Sequence, residues 1–259
     1  MPSNSLRNRF LAALALGLLA CGAAAADPGS NEALIKKALE KKLDGIRIEA
    51  VLPTPIAGIY EAQYRSAEGM QIVYTDATGN YVLQGSLFDM RSGRDLTEEK
   101  LQALNAVPLS ALPLELAVKV QRGNGRRVLA MFSDPHCPYC RKFEKILQQL
   151  DDVTIYVFMY PVIRPDLANH SKAVWCSADR SKAWIELALN GEPPAADASC
   201  DTPLAKIREL GHRLGVNSTP TLILADGRRI SGGLALADLT RLLDASAAPS
   251  GSPARKAAR

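Results

Sequence analysis

Two thiols separated by Pro138 and Tyr139 carry the clearest chemistry in this 259-residue chain. The run Val128-Leu129-Ala130-Met131-Phe132 reads as a short buried strand, and Ser133-Asp134-Pro135 as the turn that ends it. Beyond Cys140, Phe143, Ile146, Leu147 and Leu150 recur at helical spacing, with Arg141, Lys142, Glu144 and Gln148 between them. A Cys-x-x-Cys pair at such a strand-to-helix junction suits thiol–disulfide exchange. Cys137 falls at the helix N-terminus, where free N–H groups and the positive dipole end favour a thiolate. Pro138 suits the first helical position, where its missing N–H costs nothing. Cys140 comes one turn later, shielded and able to close on Cys137. Tyr139 is exposed by position and suited to touching a substrate.

Other uses of the pair are weaker. Haem attachment needs a histidine after the second cysteine, and this chain has Arg141. Zinc needs two further ligands, and Cys176 and Cys200 do not make a second short pair, so no metal and no cofactor is expected. An inert Cys137–Cys140 bridge stays open as an alternative. His136 adjoins the nucleophile and either supports a thiolate or points into solvent. His170 and His212 lie in helical patterns and read as surface or capping histidines.

The N-terminus points to an oxidising compartment. Arg7 and Arg9 precede an apolar run from Phe10 to Ala20, and small residues lead to Ala26. This is the order of a secretory signal, 1–26, and the run is too short for a membrane span. The stretch Leu18-Leu19-Ala20-Cys21 also fits a lipoprotein signal, which would anchor the chain at Cys21. Lys and Arg number 31 against 27 Asp and Glu, and outside the tail the basic residues are scattered, so a nucleic-acid partner is not expected.

The remaining length predicts two units. In 27–92, a helix capped by Ser30 or Asn31 presents Leu34, Ile35, Ala38, Leu39 and Leu43 on its apolar face. Period-two segments follow: 46–51, 58–64, then 71–75 and 81–87 around a turn at 76–80. This small helix and antiparallel meander has neither Cys nor His, and its thin core invites self-association through an edge strand. Asp95 and Glu98 have capping-box spacing, so 93–115 reads as a short helical linker that Pro108 and Pro113 turn into an extended piece. The catalytic unit, 116–244, adds a β-rich run at 153–159, helical stretches at 169–189 and 204–214, a hairpin at 221–230 and a closing helix at 234–243. The fold class is therefore α+β, ending in a thioredoxin-like α/β domain with a helical insertion. The stretch 245–259 reads as a disordered tail.

With these motifs in order, nearly the whole mature chain resembles the DsbC/DsbG family of periplasmic thiol:disulfide interchange proteins. Phe132 to Cys140 matches the active site, Ser218-Thr219-Pro220 matches a loop holding a cis-proline beside it, and Val174-Trp175-Cys176 with Ala198-Ser199-Cys200 matches a structural disulfide of the DsbC branch. Pro138-Tyr139 and Asp134-Pro135 lean towards DsbG, whereas the Cys176/Cys200 pair leans towards DsbC. The resemblance implies an N-terminal dimerisation domain, a V-shaped homodimer, Thr219 and Pro220 as substrate-binding residues, and a membrane reductase of DsbD type as partner. It implies reshuffling of wrong disulfides in secreted proteins or, on the DsbG side, reduction of sulfenylated cysteines. A non-enzymatic holdase and a monomeric oxidase are the competing readings.

Overall fold

The computed structural model describes residues 28–247. The signal segment, Cys21 and the tail from 248 onwards lie outside the described residues. The N-terminal unit is built from helix α1 (Pro28–Lys42) and the strands β1 (Ile48–Pro53), β2 (Ile59–Ser66), β3 (Gly69–Asp76) and β4 (Val82–Leu83). The strands pair antiparallel in sequence order, which is a meander. Ile35 and Leu39 of α1 bury against Ile48, Val51, Ala62 and Val73. Two expectations fail here. The helix starts at Pro28, so Ser30 and Asn31 lie within it rather than capping it, and the Asn31 amide donates to the Tyr60 hydroxyl at 3.0 Å. Leu34 faces outward and is exposed.

The predicted strand over 81–87 shrinks to β4, which pairs with β3 and whose outer edge has no partner among the described residues. A small hairpin of β5 (Phe88–Asp89) and β6 (Arg94–Asp95) follows. Helix α2 (Leu96–Leu104) is capped by Asp95, which accepts the Glu98 N–H at 2.9 Å, a bond worth about 1 kcal/mol. After α2 the linker is not extended: Pro108 and Pro113 each open a single 3-10 turn, at 109–111 and 114–116.

The C-terminal unit is a five-stranded sheet in the order β11-β10-β8-β9-β7. Its members are β7 (Val118–Arg122), β8 (Arg127–Ser133), β9 (Val153–Met159), β10 (Thr221–Leu224) and β11 (Arg229–Ser231), interleaved with α3 (Pro138–Leu147), α4 (Ala168–Cys176), α5 (Arg180–Asn190), α6 (Leu204–Arg213) and α7 (Leu236–Ala247). The β8-α3-β9 crossover makes the one parallel pair of this sheet. Leu129 to Ser133 of the central strand are continuously buried, as a strand covered on both faces requires. The helical stretch predicted from Asn169 to Leu189 breaks at Ser177, and Asp179 caps α5 by accepting the Lys182 N–H at 2.9 Å. The last helix continues to Ala247 and buries Ser246, past the start of the predicted tail at Ala245.

The two units meet at the turn between β2 and β3. The Arg229 guanidinium donates to the Glu68 carbonyl at 3.1 Å and also to the Leu214 carbonyl. Gly215, at φ +64°, lets the end of α6 approach that turn, since a Cβ would stand 2.9 Å from the Glu68 backbone. Asn105, at the end of α2, pairs with both backbone groups of Met70, and the Val107 N–H reaches the Gly227 carbonyl at 2.9 Å.

Candidate active site

Strand β8 delivers Ser133 and Asp134 to the end of the sheet, and α3 begins at once. Cys137 is the N-cap of α3 and Pro138 occupies its first turn. The turn is held by Asp134, which is fully buried. One of its carboxylate oxygens accepts the His136 N–H at 2.8 Å, and the other accepts the N–H groups of Val162 and Ile163, both at 2.8 Å. Its carbonyl accepts the Cys137 N–H at 3.1 Å. A buried carboxylate is tolerated because it satisfies donors that would otherwise be stranded.

Cys137 and Cys140 are free thiols, 3 and 4% exposed. From across the fold, the loop before β10 brings a cis Thr219–Pro220 bond against them, and the Cys137 thiol donates to the Thr219 carbonyl at 3.4 Å. Burial pushes the Cys140 thiol up to about 12, against the pull of the Ser133 hydroxyl, so at neutral pH it keeps its proton. The buried Thr219 hydroxyl, like that of Ser133, pulls against the rise of the Cys140 thiol. Tyr139 stands at the rim, 75% exposed. Cys137, Cys140, Thr219 and Pro220 thus converge, with Tyr139 at the mouth.

Cys176 and Cys200 are elsewhere, bonded to one another from the end of α4 to the loop before α6, with Cα atoms 5.8 Å apart. Arg180 stacks over Trp175 beside it, 3.8 Å from the ring centre.

Two histidines read separately in the sequence are neighbours. His136 Nε2 and His170 Nδ1 are 3.1 Å apart, so His170 is part of the active-site surround and not an isolated helix-surface residue. Burial first, and then His170, hold His136 below the ordinary histidine range. Glu144, which the sequence sets among the polar residues of α3, is 3% exposed and hydrogen-bonded to Trp184 and Gln148 at 3.4 and 2.9 Å. Burial raises its carboxyl above the usual range. Sequence reasoning also missed Asp134, whose partners lie 28 and 29 residues downstream. Among the described residues no cluster of three or more His, Cys, Asp or Glu could hold a metal, and no helix is long and apolar enough to cross a membrane.

Comparison with known proteins extends the geometry. Residues 114–247 match the family model of a thioredoxin-like domain, and residues 22–98 match that of the disulfide bond isomerase N-terminal domain. The probable thiol:disulfide interchange protein DsbC of Bordetella parapertussis is 36% identical over 212 residues, which is 82% of this chain and 73% of that protein. The thiol:disulfide interchange protein DsbC of Escherichia coli K12 is 27% identical over 219 residues, 83% of this chain and 88% of that one. A crystal structure of a disulfide interchange protein from Neisseria gonorrhoeae superposes with a TM-score of 0.51 at 38% identity, covering 52% of this chain and 99% of that chain.

Proposed function

Because this chain belongs to the DsbC family of thiol:disulfide interchange proteins, and is a disulfide isomerase by that membership, we propose that Cys137 and Cys140 are its redox pair. The observation that carries the assignment is the asymmetry of the two thiols. Cys137 caps a helix and touches the Thr219 carbonyl, while burial keeps Cys140 protonated.

Cys137, as thiolate, attacks one sulfur of a client disulfide. A Cys137–client bond forms, the client bond breaks, and its electron pair leaves on the second client sulfur. That freed thiolate attacks elsewhere in the client and at last expels Cys137, so isomerisation ends with no net transfer of electrons. If rearrangement stalls, Cys140 loses its proton and attacks the Cys137 sulfur. The client leaves reduced and the enzyme is left with a Cys137–Cys140 disulfide. A thiol held protonated at neutral pH resolves the mixed disulfide slowly, which gives the client time to rearrange. A membrane reductase of DsbD type then returns two electrons.

Thr219 and Pro220 contribute to client binding. Ionisation of Cys137 removes its S–H, so the Thr219 carbonyl is free to accept a client N–H. Exposed Tyr139 covers the client from the rim.

The N-terminal unit makes the homodimer. Tyr81, Val82 and Leu83 are exposed on and beside the β4 edge, and with Ile56, Ile59 and Leu87 they line an apolar groove of about 220 Å³. An edge strand with apolar side chains calls for a second strand. The signal segment and the bonded Cys176–Cys200 pair support a periplasmic location.

The test is refolding of a scrambled multi-disulfide protein by the reduced mature chain and by its Cys137→Ser variant. Activity lost in the variant is expected; activity retained there would remove Cys137 from the mechanism. No activity from the folded wild-type dimer would instead point to reduction of sulfenylated cysteines, which the same pair supports chemically.

A further inference from the structure

Behind the loop that follows β9 lies a groove of about 210 Å³, between that loop and the starts of α4 and α6. Tyr160, Pro161, Val162 and Leu204 form its apolar walls, and Lys172 and Arg208 stand on its rim. The floor is fixed. The Tyr160 ring lies against Gly211, where a Cβ would come within 2.6 Å of it, and the Tyr160 N–H is bonded to the Ser133 carbonyl at 2.8 Å. The Val162 and Ile163 side chains are exposed, while their N–H groups bind the Asp134 carboxylate that also shapes the Cys137 turn. The groove is therefore tied by short hydrogen bonds to the redox loop.

Its charge is uncompensated. No carboxylate lines it. Asp166 and Glu209, next in sequence to the lining residues Pro165 and Arg208, are engaged by Arg164 and Arg213, and among the described residues neither Lys172 nor Arg208 forms an ion pair. An apolar trough with two free cations at its lip complements one chemistry: an aliphatic or aromatic side chain next to a carboxylate.

We propose that this groove docks a client segment in which an apolar residue adjoins an acidic one, while a cysteine further along the client is bonded to Cys137. The inference rests on Cys137 as nucleophile. It adds a specificity surface, with Lys172 and Arg208 as the residues that select the client.

The test uses the full mature chain carrying Cys140→Ser, and unstructured peptides whose single cysteine is capped by thionitrobenzoate. Attack by Cys137 forms the enzyme–peptide disulfide, breaks the peptide–thionitrobenzoate bond and releases one coloured thiolate. Three peptide series differ only in carrying Leu-Glu, Leu-Gln or Leu-Lys at increasing distance from the cysteine. Leu-Glu is expected to react about tenfold faster than Leu-Lys at its best distance, and this ratio should invert in Lys172→Glu/Arg208→Glu. Exposed Arg208→Glu alone, should the double variant fold poorly, is expected to bring the ratio close to one. Equal rates for the three series, or a preference that survives the charge reversal, would overturn the docking site. No colour from any peptide would overturn the assignment of Cys137 itself, and the docking proposal with it.

Discussion

The thiol of Cys137 and the carbonyl of Thr219 are 3.4 Å apart although 82 residues separate them in the chain. That contact joins the start of α3 to the loop before β10, so the proposed nucleophile lies against the backbone of the cis-proline loop.

Cys140 is expected to resist alkylation at neutral pH, because burial holds its pKa near 12. Iodoacetamide at pH 7, read by mass spectrometry on the reduced protein, should label Cys137 well before Cys140. Linkage adds a second sign. The unfolded thiol ionises near 9 and the folded one near 12, so in that interval the unfolded state binds fewer protons and reduced-state stability falls as pH rises. Cys140→Ala should flatten that fall; an unchanged slope in chemical denaturation would contradict it.

Replacing Asp134 with Asn is expected to cost about 2–4 kcal/mol in urea unfolding and to slow Cys137 chemistry. An amide oxygen can serve some of the three N–H groups at 2.8 Å, but the amide nitrogen would face a donor.

Glu144 gives the opposite pH sign to a salt-bridged acid. Its folded pKa is raised by burial, so stability is greatest below the unfolded carboxyl range and declines as pH rises through the folded value. Glu144→Gln should remove that decline, as measured by unfolding midpoints between pH 4 and 8.

The Cys176–Cys200 bond closes a loop with a sequence separation of 24. Its double Ser variant should lose roughly 3 kcal/mol of stability while still forming the Cys137 mixed disulfide.

Leu83→Glu places a charge on the apolar β4 edge, where Leu83 is 66% exposed. Sedimentation is expected to show a monomer, with thiol reactivity at Cys137 unchanged.

Much of the catalytic unit is legible because its signals are local. The Cys-Pro junction, the helical recurrence of Phe143 and Leu147, and the turn at Asp226-Gly227 each involve only neighbours in sequence. The alternation Val118-Lys119-Val120-Gln121-Arg122 is as local a signal and marks β7. What stayed hidden depends on distant partners. Asp134 before a proline looks like an ordinary turn residue until Val162 and Ile163 return to it. Glu144 looks solvated by its type and neighbours, and only the indole of Trp184, 40 residues on, shows that the helix face is covered. The edge at 81–87 reads as a full strand because periodicity cannot tell an occupied edge from a vacant one.

The order of the cysteines along the chain has its own consequence. Cys200 is bonded to Cys176, with no cysteine between them, and Cys137 and Cys140 are likewise consecutive. Among the described residues, joining each cysteine to the next unpaired one along the chain gives Cys176–Cys200 and sets Cys137 opposite Cys140, with no crossing between the two pairs. A catalyst that repairs the mispairings of others thus carries its own described cysteines in the order least open to mispairing.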